Sequence, residues 1–94
     1  MICNSIYKVP GGKLIKIKLK YSQKNKVIEN IKITGDFFAY PEDSIEKIES
    51  NLINTPIIED IIFKKISYMI KENRFLLIGF NAENLTKGII MCLK

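Results

Sequence analysis

Leu14-Ile15-Lys16-Ile17-Lys18-Leu19-Lys20-Tyr21 is the stretch that decides the fold. Ile15, Ile17, Leu19 and Tyr21 alternate without a break with Lys16, Lys18 and Lys20. Successive side chains of a strand point to opposite faces, so this period of two predicts a strand with one face in a core and one in water. Such a strand needs a sheet that is covered on one side only.

The neighbouring residues supply that sheet. Ser22-Gln23-Lys24-Asn25-Lys26 is a polar turn of hairpin length, and Val27–Thr34 is a second strand with Ile31 and Ile33 opposite Lys32 and Thr34. A connection this short pairs the two antiparallel, because a parallel crossover needs many more residues. Upstream, Ile6–Val9 can add a short third strand before Pro10-Gly11-Gly12 breaks it.

The second half of the chain reads as helix. Pro41 suits a first helical position, and Glu42 and Asp43 suit the positive end of the helix dipole. Ile45, Ile48 and Leu52 then recur at helical spacing. Thr55-Pro56 reads as a second cap and start, with Ile58, Ile62, Ile66 and Met69 on one stripe. Arg74–Phe80 is a short apolar strand or an extended connection. Asn81 caps a last helix with Leu85, Ile89, Cys92 and Leu93 on its apolar side, and Phe80 with Leu85 is placed as a hydrophobic staple. The predicted fold is α+β: residues 1–94 as a single domain, a small antiparallel sheet (hairpin plus short strand) covered on one face by about three helices.

Composition narrows the chemistry. The chain has 94 residues and no histidine, which removes the commonest general base and a common metal ligand. No apolar run approaches the roughly 18–20 residues of a membrane span. Met1–Pro10 lacks the basic region and apolar block of a signal peptide, so a cytoplasmic setting is expected. Cys3 and Cys92 are too few and too far apart to read as a disulfide framework or a metal site; two reduced thiols, one in a core, are expected. Residues 1–40 carry eight lysines against Glu29 and Asp36, whereas residues 41–94 carry seven basic and eight acidic side chains. The basic half could face nucleic acid, nucleotide phosphates or an acidic partner, or reflect genome bias or a thermophilic origin.

Two clusters stand out. In Lys8-Val9-Pro10-Gly11-Gly12-Lys13, paired glycines allow close backbone approach and the lysines can neutralise phosphate, although the spacing of a Walker loop is missing. It can equally be a turn feeding a strand. In Ile33-Thr34-Gly35-Asp36-Phe37-Phe38-Ala39-Tyr40-Pro41, a strand ends in Gly-Asp and three aromatics follow. One phenylalanine is expected to close the end of the core; outward aromatics at such a place would anchor a partner.

These two blocks, about 20 residues apart, and the ending Leu77-Ile78-Gly79-Phe80-Asn81-Ala82-Glu83-Asn84-Leu85 resemble the accessory, C-terminal domain of lipoate–protein ligases. In many bacteria that domain is fused behind the catalytic domain; in some archaea it is a separate polypeptide. The resemblance implies a fold similar to iron–sulfur scaffold and sulfur-acceptor proteins. It implies a heterodimer with a large catalytic subunit that holds ATP, Mg and lipoate, makes lipoyl-AMP, and passes the lipoyl group to a lysine of an acceptor domain. The accessory domain would serve mainly adenylation, binding no cofactor alone and supplying no catalytic residue and no metal ligand. Because adenylation builds negative charge and needs water excluded, Lys8 and Lys13 are expected near the nucleotide. Gly11, Gly12, Gly35 and Asp36 would shape the loops, and Phe37, Phe38 and Tyr40 would meet the partner. A purely docking role fits equally. The competing expectations are a small basic nucleic-acid-binding module, which has no fingerprint here, and a sulfur-transfer scaffold, for which neither cysteine lies in a suitable loop.

Overall fold

The computed structural model describes residues 1–93. The alternating segment is the central strand of a three-stranded antiparallel sheet, β1 (Ile2–Lys8), β2 (Leu14–Ser22) and β3 (Val27–Gly35), in that spatial order. Ile15, Ile17 and Leu19 are buried while Lys16, Lys18 and Lys20 are exposed. β1 is longer than the sequence suggests, because its exposed members Ile2, Asn4 and Ile6 mask the alternation. The hairpin turn closes with Lys26 in the left-handed region (φ 53°) and its N–H donating to the Ser22 carbonyl at 2.8 Å. A bulge at Lys20/Tyr21 shifts the β2–β3 register.

A separate two-stranded ribbon pairs β4 (Phe38–Tyr40) with β5 (Leu76–Ile78). Three helices, α1 (Ser44–Leu52), α2 (Glu59–Asn73) and α3 (Ala82–Cys92), cover the apolar side of the sheet. α3 packs on β1 and β2, α1 packs on β3, and α2 lies against both other helices. Ile48, Leu52, Ile62, Ile66, Leu85 and Ile89 are fully buried, each contributing roughly 1.5–3 kcal/mol relative to an exposed side chain.

The predicted cap of α3 is present. Asn81 accepts from the Asn84 N–H at 2.8 Å, and Asn84 Oδ1 accepts from the Asn81 N–H at 2.9 Å. Two other predicted helix starts are displaced. Pro41 does not open α1: it follows a cis peptide after Tyr40, and its carbonyl accepts from Ser44 N–H in a turn that redirects the chain from β4 into the helix. Thr55-Pro56 does not open α2. Residues 54–57 run along β3 instead, where Ile28 N–H donates to Thr55 O (2.9 Å) and Ile57 N–H to Lys26 O (3.0 Å), and this extended pairing delays the helix to Glu59. The buried Thr55 hydroxyl accepts from Lys65 Nζ at 3.1 Å.

The expectation of two reduced thiols is overturned. Cys3 and Cys92 form a disulfide, with Cα atoms 5.7 Å apart, that ties β1 to the end of α3. Their separation of 89 residues hides the pairing in the sequence, because only the packing of α3 on β1 brings them together. Nearby, Ser5 Oγ donates to the Gly88 carbonyl at 2.8 Å. A cross-link closing so long a loop removes much entropy from the unfolded chain, on the order of 4 kcal/mol. Reduction, or Cys92→Ser, is therefore expected to lower Tm by roughly 15–30 °C. Calorimetry with and without reductant measures this, and maleimide labelling of the unfolded, unreduced chain should find no thiol.

Candidate functional site

The two glycine-containing blocks meet at one end of the sheet, together with a third segment that the sequence did not tie to them. Leu14 opens β2, and its N–H donates to Asp36 Oδ1 at 2.7 Å while its carbonyl accepts from Asp36 N–H at 3.3 Å. Asp36 thus fastens the end of β3 to the start of β2. Gly35 is required by contact: a Cβ there would collide with the Leu14 carbonyl oxygen and lie 2.9 Å from the Phe37 ring.

The third segment is Gly79. Its carbonyl accepts from Lys13 N–H at 3.2 Å, and its φ of 98° places it where side chains are rarely found. A Cβ at Gly79 would strike the Lys13 side chain. Gly12 N–H closes the β1–β2 turn on the Val9 carbonyl at 2.8 Å, leaving Pro10, Gly11 and the lysines on either side exposed. Lys8 and Lys13 therefore stand at the rim of this junction.

The aromatics divide by strand alternation. Phe37 turns inward onto Phe80, with ring centroids 4.4 Å apart and planes tilted by 44°. Phe38 and Tyr40 turn outward, opposite Ile78 and Leu76 on β5. All four belong to one face of the ribbon, 61% (Phe38), 61% (Tyr40), 55% (Leu76) and 51% (Ile78) exposed. A contiguous apolar face of this kind on a small polar-surfaced domain is a candidate interaction surface. The sequence does not single out Leu76 and Ile78, because Phe75–Ile78 is apolar throughout, which conceals which members face out.

The junction's one carboxylate, Asp36, accepts the Leu14 amide through Oδ1. Among the described residues, no three His, Cys, Asp or Glu side chains gather as a metal site, and no helix is long and apolar enough to cross a membrane. What the arrangement provides is two lysines without an ion-pair partner among the described residues, a turn with exposed backbone, and an apolar ribbon face beside them.

The sequence matches the family described as Bacterial lipoate protein ligase C-terminus over residues 8–89. Comparison with curated proteins gives no match. Among solved structures, the fold superposes on a chain from an archaeal lipoylation system, a bi-partite lipoate protein ligase and its E2 lipoyl domain from Thermoplasma acidophilum. The TM-score is 0.81 at 27% identity, covering 95% of this chain and 94% of that one.

The left-handed Gly79 and its contact with Lys13 set a clear contrast with Gly88, where an added Cβ would meet its neighbours only at ordinary distances of 3.5 Å and beyond. Gly79→Ala is expected to destabilise the chain by about 1–3 kcal/mol, whereas Gly88→Ala, inside α3, should leave it unchanged or up to about 1 kcal/mol more stable. Denaturant titration of the two variants compares them directly.

Proposed function

We propose that this chain, which belongs to the lipoate protein ligase C-terminal family, is the accessory subunit of a two-part lipoate–protein ligase and is needed with a catalytic subunit for ATP-dependent formation of lipoyl-AMP. The lipoyl group then goes to a lysine of an acceptor protein. The observation that carries this reading is the exposed ribbon face of Phe38, Tyr40, Leu76 and Ile78 beside the glycine junction. A fused or partner catalytic domain would cover that apolar surface, and the relative from Thermoplasma acidophilum belongs to a bi-partite system.

In this reading the chain works by exclusion and charge. The ribbon seats the catalytic subunit, and the rigid Gly11-Gly12 turn lies over the mouth of its nucleotide site. Lys13 and Lys8 then face the α-phosphate as adenylation builds negative charge there, in a place from which water is displaced. ATP, Mg and lipoate are held by the catalytic subunit, and Asp36 serves to shape the loop. Lys13 is fixed at its backbone by Gly79, so its side chain starts from a defined position. The setting is cytoplasmic. A cytoplasmic disulfide suits the interior of a hyperthermophile better than that of a mesophile, and the isoleucine- and lysine-rich composition fits such an origin. A nucleic-acid role would draw on the lysine face alone, which has no arginine and no outward aromatic to stack on a base.

The test is a reconstitution with the catalytic subunit of the same organism, following lipoyl-AMP by pyrophosphate release. The catalytic subunit alone should adenylate slowly, and this chain should restore the rate. Phe38→Ser with Ile78→Ser is expected to weaken the complex by about tenfold or more while Tm holds, because truncated central anchors are costly. Lys13→Ala should lower the adenylation rate at saturating chain by about tenfold. An unchanged rate with intact binding would leave Lys13 a purely docking role.

A further inference from the structure

The two edges of the three-stranded sheet are treated in opposite ways. The outer edge of β3 is covered: Ile33 N–H donates to Glu49 Oε2 of α1 at 2.6 Å, Ile28 N–H donates to Thr55 O, and Ile28 O accepts from Asn54 N–H at 2.7 Å. The outer edge of β1 has no such cover. Met1 exchanges both main-chain bonds with Tyr21, and Val9 N–H donates to Lys13 O, so the odd-numbered residues of β1 face β2. The pattern alternates along an antiparallel pair, which turns the N–H and C=O groups of Ile2, Asn4, Ile6 and Lys8 away from the sheet. Among the described residues these groups find no partner outside the sheet.

Proteins usually blunt such an edge with charge. Here, apart from Lys8 at its end, the charge is on the wrong strand for that task. Lys16, Lys18 and Lys20 sit on central β2, while the edge strand carries Ile2 and Ile6, 60% and 61% exposed, on the same outer face. The edge is also rigid, because Cys3 is bonded to Cys92 and Ser5 to Gly88 from beneath. It begins at Lys8, which runs directly into the Gly11-Gly12 turn of the junction.

We infer that the β1 edge is a strand-addition site, taken in the complex by an extended segment of the catalytic subunit whose outward side chains are apolar and acidic. This rests on the functional reading above and specifies how the partner is held. The apolar members would lie beside Ile2 and Ile6. The acidic ones would face Lys8 and the β2 lysines, where Lys18 stands directly beside Lys32 and the only carboxylate on the three strands is Glu29 at the bulge. A shallow hollow of about 330 Å³, lined by Ile2, Lys18, Lys20, Asn30 and Lys32, continues the surface across the sheet. Charge favours an acidic partner over a second copy, because pairing β1 with its twin would join two lysine faces in one sheet with no carboxylate between them. Main-chain bonds along an open edge give affinity, and alternate side chains give specificity.

Residue-resolved amide exchange tests this on the chain alone and in complex with the catalytic subunit. In the free chain, Asn4, Ile6 and Lys8 amides should exchange fast and Ser5 and Tyr7 amides slowly; in the complex the even-numbered amides should slow by about a hundredfold. Ile6→Pro removes only an outward N–H and should keep the fold, yet weaken the complex by about tenfold. Ile2→Ser with Ile6→Ser, which leaves the backbone intact, should act in the same direction, and Lys16→Gln with Lys18→Gln should flatten the salt dependence of binding. An active complex whose even-numbered amides keep their free-chain rates overturns the edge site and leaves the functional reading standing. Protection in the chain alone at high concentration, with a dimer mass, overturns it in favour of a second copy. Absence of any complex or adenylation removes both.

Discussion

The fold is organised around the apolar side of β2, the central strand of its sheet. Ile15, Ile17 and Leu19 are buried to 2% exposure or less, the strand pairs with a neighbour on each side, and α3 packs on its inner face. The same alternation that builds the core leaves Lys16, Lys18 and Lys20 nowhere to go but outward. Lys18 therefore sits directly beside Lys32, a like-charge neighbour pair that is unfavourable in isolation. The ion pairs found among the described residues, Lys47 with Asp43 and Lys87 with Glu83, lie on helices and do nothing to relieve it. The positive outer face is thus a consequence of the core, and any use of it is built on that consequence.

The glycine junction converts this sheet into a platform. Asp36 binds the backbone of Leu14, Gly35 lets the chain pass close to it, and Gly79 receives Lys13 from the other side. A two-stranded ribbon is marginal by itself in water. β4 and β5 persist because Phe37 locks onto Phe80 beneath them and because both strands grow from the fixed junction. Holding the inner face in this way leaves the outer face, with Phe38 and Tyr40, free to present apolar surface at a defined angle. Rigidity of that kind lowers the ordering cost of association.

The disulfide has a different logic. It links the first strand to the last helix, and so joins the two ends of the described chain through the edge that has no other cover. β3 is guarded by Glu49 and by residues 54–57, whereas β1 is held from beneath and left open at the side. A small domain has little core to spare, so a covalent tie from beneath secures the strand that no other element covers at its side.

The sheet, its lysine face and the capped last helix were legible in the sequence because each rests on a local rule: a period of two, a hairpin-length turn, an Asn-x-x-Asn cap. The resemblance carried by the glycine blocks also pointed to the family. What the sequence left undecided depends on which distant segments touch. Phe37 and Phe38 are indistinguishable as residues, and only pairing of β4 with β5 turns one inward and one outward. Gly79 joins Gly12 and Gly35 only after α2 returns the chain to the junction. The helix start expected at Thr55 yields to an edge of β3 that must be paired, and Cys3 meets Cys92 only when α3 lies on β1. Periodicity belongs to neighbours along the chain and is written in it; partners in space are set by the packing of whole elements, and no single stretch of sequence contains them.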